Sequence, residues 1–497
     1  MTAATTAAPS PRLRSQARLA WPAYAVAAGT TTLLLALAGR YGPHRDELYF
    51  VAAGRHLQWG YPDQPPLTPL IARLADTVAP GSLLALRLQP ALAIGVVVLL
   101  VAGLARQLGG GSGAQLLAAL ATGGGAGVLA VGHLLSTSTT DLLVWTAVIR
   151  LTVTALQRND SRWWLAVGAA LGVGLENKHL VAFLAAGLVI GIVATPSLRH
   201  HLRSPWAWGG ALLAVALWAP NLWWQQAHGW PQLELGADVR AEYGTLGGAA
   251  MLVGFQLILL GPVASVLVVR GLRGGLRRRE WTAVRPVAIA YLVLVPAFVL
   301  LGGKHYYLLG LLPPLAAIGA VATAGRRSAR ELARFAAVLG LTALLPLPAL
   351  LPVLPPRTLD ASFYPALNED GMETIGWPRV VASVRDVVQS LPAEQRSRAV
   401  VVTSNYGEAG ALEWYGVPAP VFSGHNGYGD WGPPASSGPV VYVGPRAPSA
   451  DALSSCRFAA TLDTGVDNEE DGHGVWVCDG PRGSWARAWP RIRHLDA

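Results

Sequence analysis

Apolar runs of about 18 residues or longer recur along most of this chain, and a run of that length is what an α-helix needs to cross the hydrocarbon of a bilayer. The composition agrees: 52% of the 497 residues are hydrophobic and only 13% are charged. The expected fold class is therefore a polytopic α-helical membrane protein. A formal net charge of +9 would suggest a nucleic-acid partner in a soluble protein. Here the basic residues lie in short clusters between apolar runs, where they orient the spans, so nucleic acid is excluded and membrane lipids are the expected surroundings. Residues 1–19 read as a basic cytoplasmic tail. The run behind them is too long for a cleaved signal peptide and reads as an uncleaved first helix.

Eleven spans are expected, near residues 20–39, 88–106, 113–132, 141–157, 163–176, 179–196, 206–220, 247–270, 284–301, 306–324 and 336–354. Arg12, Arg14 and Arg18 hold the N-terminus in the cytoplasm, and alternate junctions carry Arg106, Arg158, Arg199, the Arg270–Arg279 cluster and the Arg326–Arg334 cluster. All fall on one side, as the positive-inside rule requires. Merging 163–176 with 179–196 would put the later clusters outside, which argues for keeping them apart. The expected domains are a membrane domain over 20–356, with a first outer loop at 40–87, and an extracytoplasmic α/β domain over 357–497. The latter is polar, with strand-like "RAVVVTSN" and "GPVVYVG" and a helical "GEAGALEWYG". Both cysteines of the chain, Cys456 and Cys478, lie in it, and an oxidising outer compartment favours a disulfide between them. Short loops and composition point to a bacterial plasma membrane.

The first outer loop begins with "HRDELYF", which places Asp46 and Glu47 side by side, flanked by His44 and Tyr49. A pair of acids at a helix start commonly does no more than stabilise the helix dipole. The same loop, however, contains "GYPDQPPLTPL", so Asp63 brings a third carboxylate just before a double proline. Of 38 basic residues only Lys178 and Lys304 are lysines, and both stand at expected outer junctions followed by histidine, in "LENKHL" and "GGKHYYLL". An ammonium on a flexible stem is a good point-charge ligand for phosphate, although snorkelling at a helix end is the plainer role. Acids, lysines and interfacial aromatics together describe an outward-facing pocket suited to moving a group from a lipid phosphate to an outer acceptor.

The ordered set "DE", "DQPPLTPL", "STSTTDLLVW", "GLENKHL" and "GGKHYYLLGLLPPLA" resembles the membrane glycosyltransferases of the C fold, in particular the family 39 protein O-mannosyltransferase-like enzymes and the lipid A aminoarabinose transferases. The resemblance covers roughly residues 20–325. It implies transfer of a sugar from a polyprenyl-phosphate donor to a glycan, lipid or protein acceptor outside the membrane. It also implies that Asp46 matches the catalytic acid and Asp63 the acidic position before the double proline, with Asp141 an acid on the same face whose competing role is helix N-cap. Two departures concern the sugar and acceptor: Gln64 stands where the aminoarabinose transferases have a basic residue, and Tyr49 and Phe50 replace an Arg-Tyr pair. The donor phosphate is then expected on Lys178 and Lys304, with His305, Tyr306 and Tyr307 beside the second.

In chemical terms the departing lipid phosphate gains charge and needs cations, and the attacking hydroxyl needs a carboxylate base. Asp46 is the expected base, with Glu47 or Asp63 its orienting partner. A single displacement would invert the anomeric centre, whereas a retaining double displacement would need two carboxylates flanking the sugar at a separation the sequence does not give. Adjacent Asp-Glu is weak evidence for a divalent metal, and no cofactor is required by this chemistry. His44, Tyr49, Asp141 and Trp224 are the candidates for contact with sugar or acceptor, Trp224 because tryptophans stack on sugars, although interfacial anchoring is their commoner use. A transporter of lipid-linked sugars is the main rival, but charges at the outer junctions, not at mid-membrane, favour interfacial chemistry.

Overall fold

The computed structural model describes residues 18–158 and 160–496. Arg12 and Arg14, and nearly all of the expected tail, lie outside the described residues. The membrane part starts with α1 (Trp21–Leu37), followed by two short helices in the first loop, α2 (Arg45–Arg55) and α3 (Leu67–Val78). Then come α4 (Leu83–Gln107), α5 (Ser112–Gly123), α6 (Ala126–His133), α7 (Thr137–Arg158), α8 (Trp163–Leu175), α9 (Leu180–Val193), α10 (Pro205–Ala227) and α11 (Pro231–Tyr243). α12 (Leu246–Ile258), α13 (Pro262–Arg277), α14 (Arg285–Leu301), α15 (Leu312–Ala324) and α16 (Ala329–Thr342) complete it.

Among the described residues three helical stretches, Leu83–Gln107, Thr137–Arg158 and Arg279–Leu301, are long and apolar enough to cross a membrane singly. Two bent pairs of helices reach that length and apolarity only when taken together, and four more apolar helices are shorter. Two of the expected runs are bent. The run expected at 113–132 breaks at Gly124 and Gly125 into α5 and α6, bent by 56°. The run expected at 247–270 breaks into α12 and α13, bent by 96°. The cause of the second break is local: Gly261 sits at φ 90°, which an L side chain rarely adopts, and Pro262 then starts a new helix. The two short runs expected at 163–176 and 179–196 are separate helices, α8 and α9.

With lipid tails as apolar as leucine, membrane helices associate through close packing. α13 and α15 show this at Gly271 and Gly319, where an added Cβ would fall 1.9 Å from the Leu315 carbonyl oxygen and 1.8 Å from that of Leu267. A single core cluster runs from Leu34 through Trp145, Leu267 and Leu315.

From α17 (Leu347–Leu350) and α18 (Pro356–Asp360) the chain passes through 3₁₀ turns at Pro365–Leu367 and Glu369–Thr374 into a small α/β unit. Its helices are α19 (Trp377–Ser390), α20 (Ala393–Arg396), α21 (Tyr406–Tyr415), α22 (Asn426–Asp430) and α23 (Trp485–Ile492). Its strands are β1 (Val400–Thr403), β2 (Val421–Ser423), β3 (Val440–Gly444), β4 (Leu453–Ser454), β5 (Arg457–Thr461), β6 (Gly474–Cys478) and β7 (Gly480–Pro481). Five of them form one sheet in the order β2-β1-β3-β6-β5, with β1 parallel to β2 and β3, and β6 antiparallel to β3 and β5. Alternation along the strands divides the core: Val401, Val441 and Val475 pack with Val380 and Val384 of α19, whereas Val400, Val402 and Val440 pack with Trp485 and Trp489 of α23. Cys456 and Cys478 are joined by a disulfide.

This unit sits on the first loop. Tyr49, Phe50, Val51 and Ala52 of α2 share a core cluster with Ala409 of α21 and Tyr428 of α22. α21 presents Gly407 and Gly410 to α2, and a Cβ on Gly410 would stand 2.7 Å from that of Leu48.

Candidate functional site

The two adjacent acids of the first loop do different things because consecutive residues of a helix point in different directions. His44 caps α2: its Nδ1 accepts the Asp46 backbone N–H at 3.1 Å, while Glu47 reaches back to the His44 N–H at 2.9 Å. Glu47 is 0% exposed. Arg87 of α4 grips it bidentately, Nε to Oε1 at 3.0 Å and Nη2 to Oε2 at 2.7 Å, and the Leu135 N–H donates to Oε1 at 3.0 Å. The same guanidinium donates to the Ala38 and Gly42 carbonyls, both at 2.8 Å. Burial alone would raise the Glu47 carboxyl, but the Arg87 charge and these hydrogen bonds hold it below its ordinary value. Glu47 thus ties the end of α1, the start of α2, α4 and the α6–α7 turn into one joint, and it faces Arg87 and not a cavity.

Asp46 faces the other way, into a cavity of about 250 Å³. His44, His133, Ser136, Ser138, His305, Tyr306 and Asp370 give that cavity its polar part. Its apolar part is lined by α6, the end of α12 and the Pro348–Pro352 stretch. Burial raises the Asp370 carboxyl above the usual range against the opposing charges of His44 and Lys304. Glu373 closes the edge, with Oε2 3.1 Å from His44 Nε2 and Oε1 3.8 Å from Arg45 Nη1. Arg45 also pairs with Glu469.

A second, smaller cavity is lined by Ser138, Asp141, Lys178, Tyr306 and Tyr307, so the two share Ser138 and Tyr306 as a common wall. Asn177 positions the lysine by donating to the Thr137 carbonyl at 2.8 Å. Lys178 then donates to Ser138 Oγ at 3.3 Å and lies 5.1 and 5.4 Å from the ring centres of Tyr306 and Tyr307. Its neighbour His179 is taken by Asn221, at 3.0 Å. Asp141 accepts the Trp145 indole N–H at 3.0 Å. α7 begins at Thr137, with Ser136 Oγ accepting the Thr139 N–H, so Asp141 lies one turn inside the helix and the N-cap alternative is corrected.

Other expected residues lie elsewhere. Lys304 lines neither cavity and stands 5.5 Å from the Tyr243 ring centre. Trp224 is 4% exposed, packs on Gly60 and donates to Gln58 Oε1 at 2.9 Å. The expectation of a sugar-facing Trp224 is corrected: its indole fastens α10 to the first loop. Asp63 and Tyr49 meet at the α/β unit, where the Tyr49 hydroxyl donates to Asp63 Oδ1 at 3.0 Å and accepts the Gly427 N–H at 3.1 Å. Burial pushes the Asp63 carboxyl up to about 7 despite the Tyr49 hydrogen bond. Gln64 is buried, and neither side-chain amide atom finds a protein partner. Among the described residues no group of three or more His, Cys, Asp or Glu side chains is arranged to hold a metal ion.

Reading the sequence missed Arg87, His133 and Asp370. Arg87 falls at the edge of the span expected at 88–106, where an arginine reads as an ordinary end-of-helix charge, so the sequence did not mark it as the partner of Glu47. Nothing in the sequence marked His133 or Asp370 as neighbours of Asp46.

Apolar helices, a first loop of two short helices under a small α/β unit, and a cavity where they meet define a multi-pass membrane protein with the C fold of membrane glycosyltransferases. The structure is similar to that of ArnT from Cupriavidus metallidurans bound to undecaprenyl phosphate, with a TM-score of 0.61 and 14% identity over 93% of this chain and 98% of that one. For the same protein in the apo state the values are 0.60 and 15%, over 92% and 97%. The Archaeoglobus fulgidus oligosaccharyltransferase in complex with Zn and sulfate matches more distantly, at 0.46 and 14% identity over 80% of this chain and 62% of that one. Residues 63–224 match the family model described as dolichyl-phosphate-mannose-protein mannosyltransferase. No curated protein matches by sequence.

Proposed function

We propose that this protein transfers a sugar from a polyprenyl-phosphate donor to an acceptor on the outer face of the plasma membrane, with Asp46 as general base. The observation that carries the reading is the pair of cavities meeting at Ser138 and Tyr306, with the Asp46 carboxylate in one and the Lys178 ammonium in the other. A glycosyl phosphate needs that pairing: a cation where charge grows on the leaving phosphate, and a carboxylate where the acceptor hydroxyl loses its proton. The apolar arm of the larger cavity suits a polyprenyl chain, and the likeness to ArnT bound to undecaprenyl phosphate supports a carrier of that class.

Lys178 is the nearer phosphate ligand, with Tyr306 and Tyr307 framing it, and Lys304 acts from farther out through its field at Asp370 and Tyr306. Asp370 and His305 line the same cavity as Asp46 and meet the sugar or the acceptor there. Attack and departure on opposite faces of the anomeric carbon invert it in one displacement.

The test is transfer of labelled sugar from a panel of polyprenyl-phosphate sugars to envelope fractions by the purified protein. Asp46→Asn is expected to lower the rate by about 10²–10⁴ and Lys178→Ala by about 10²–10³, with both variants inserted and folded. Carrier binding without transfer in any form, wild type included, would instead favour a transporter of lipid-linked sugars.

A further inference from the structure

The α/β unit does more than cover the first loop, because it places a hydroxyl on Asp46 itself. Tyr406, the first residue of α21, donates its Oη–H to Asp46 Oδ1 at 2.9 Å across 360 residues of chain. The ring is held on three sides. It stacks on Tyr49 with centroids 4.7 Å apart and planes at 27°, the Arg45 guanidinium carbon stands 5.0 Å from its centre, and the His425 ring lies 4.6 Å away. Tyr49, the other half of the stack, binds Asp63 and the Gly427 N–H of the same unit. Two stacked phenols therefore each hold a carboxylate of the first loop, Tyr49 from the loop itself and Tyr406 from the α/β unit. Burial and the adjacent Asp46 carboxylate push the Tyr406 phenol well above its ordinary value, so it stays protonated and donates at any physiological pH.

We propose that Tyr406 is a positioning residue for the transfer reaction: its hydroxyl turns the Asp46 carboxylate toward the cavity, and the site is incomplete until the α/β unit is docked on the first loop. The inference rests on the reading of Asp46 as the base. One oxygen of Asp46 is engaged by Tyr406, which leaves the other for the acceptor proton. The charged and titratable groups that face Asp46 are His44 and Arg45 on its own helix, Asp63, Tyr306, Asp370 and Tyr406. Of these only Tyr406 gives it a side-chain hydrogen bond among the described contacts.

Tyr406→Phe removes the hydroxyl and keeps the stack, and the experiment compares it with wild type, Tyr49→Phe and Asp46→Asn in the full-length chain. Two readouts are taken. In the transfer assay Tyr406→Phe is expected to lower kcat about tenfold to a hundredfold with the donor KM within about twofold, a loss of orientation and not of binding. In the second, carboxyl labelling by a water-soluble carbodiimide at one fixed pH is followed by peptide mass spectrometry, which needs no substrate. Loss of the Tyr406 hydroxyl uncovers one Asp46 oxygen and is expected to raise the Asp46 labelling rate severalfold in Tyr406→Phe. In Tyr49→Phe, which leaves the Tyr406 hydrogen bond in place, the Asp46 labelling rate stays near the wild-type value. A Tyr406→Phe protein with wild-type kcat and wild-type Asp46 labelling overturns the proposal. Failure of the underlying reading looks different: Asp46→Asn would then transfer sugar at the wild-type rate.

Discussion

At the scale of single residues, Asp46 and Glu47 show how a helix assigns opposite work to neighbours. Glu47 and Arg87 form a buried, bidentate pair, and removing one partner of such a pair leaves the other charge uncompensated. Glu47→Ala is expected to destabilise the protein by about 3–5 kcal/mol, whereas Asp46→Asn leaves thermal unfolding in detergent near wild type. Replacing both members of the pair, as Glu47→Leu with Arg87→Met, should restore only part of that loss, because the Ala38 and Gly42 carbonyls and the Leu135 N–H lose their partners as well. Glu47 is also a stabiliser at neutral pH, because its depressed carboxyl value means that its contribution fades only as pH falls through that value. Asp63 has the opposite sign. Its carboxyl is raised to about 7, so the folded state binds the extra proton and this site's contribution weakens as pH rises from the ordinary carboxylate range through 7. Thermal unfolding scans between pH 5 and 8 should show a smaller fall in Tm with rising pH for Asp63→Asn than for wild type.

At the scale of elements, the contact between α2 and α21 joins the membrane part to the α/β unit. It is close because α21 turns Gly407 and Gly410 toward Arg45 and Leu48. A side chain at Gly410 meets the Leu48 Cβ and backbone, neither of which can swing away as a flexible side-chain tip would. Gly410→Leu is therefore expected to lift α21 from α2 and break the Tyr406–Asp46 contact. Hydrogen exchange over residues 44–52 should then rise while exchange in β1 and β3 stays slow. Equal protection of 44–52 in the variant and wild type would show that the interface accommodates the added side chain. The turns at Gly124–Gly125 and Gly261 act at the same scale, since they end helices that would otherwise run straight and so make room for the cavity lined by α6 and the end of α12.

At the scale of the whole molecule, the α/β unit has a hydrophobic core on each face of its sheet and a disulfide between Cys456 and Cys478 that closes a sequence separation of 22 residues. Cys456→Ser with Cys478→Ser should lower the stability of that unit by about 2–4 kcal/mol, read as a lower unfolding temperature that reductant reproduces in wild type.

The membrane class, the positions of most helices and the two strands β1 and β3 were legible in one dimension, and so was the presence of Asp46 and of two lysines that the sequence did not tell apart. Length, hydropathy and rare residue types are local quantities, and a bilayer or a pleated strand imposes them directly. Which of two adjacent carboxylates meets Arg87 and which meets a cavity was decided by a partner 40 residues away. The bends at Gly124 and Gly261, the removal of Trp224 from the site and the arrival of Asp370, His133 and Tyr406 beside Asp46 were settled in the same manner. A residue's neighbours across space depend on how every intervening helix packs, and the sequence carries no local mark of that sum. The chain by itself therefore determined what kind of solvent it lives in and which reactive side chains it carries, and only the tertiary structure decided which groups face one another.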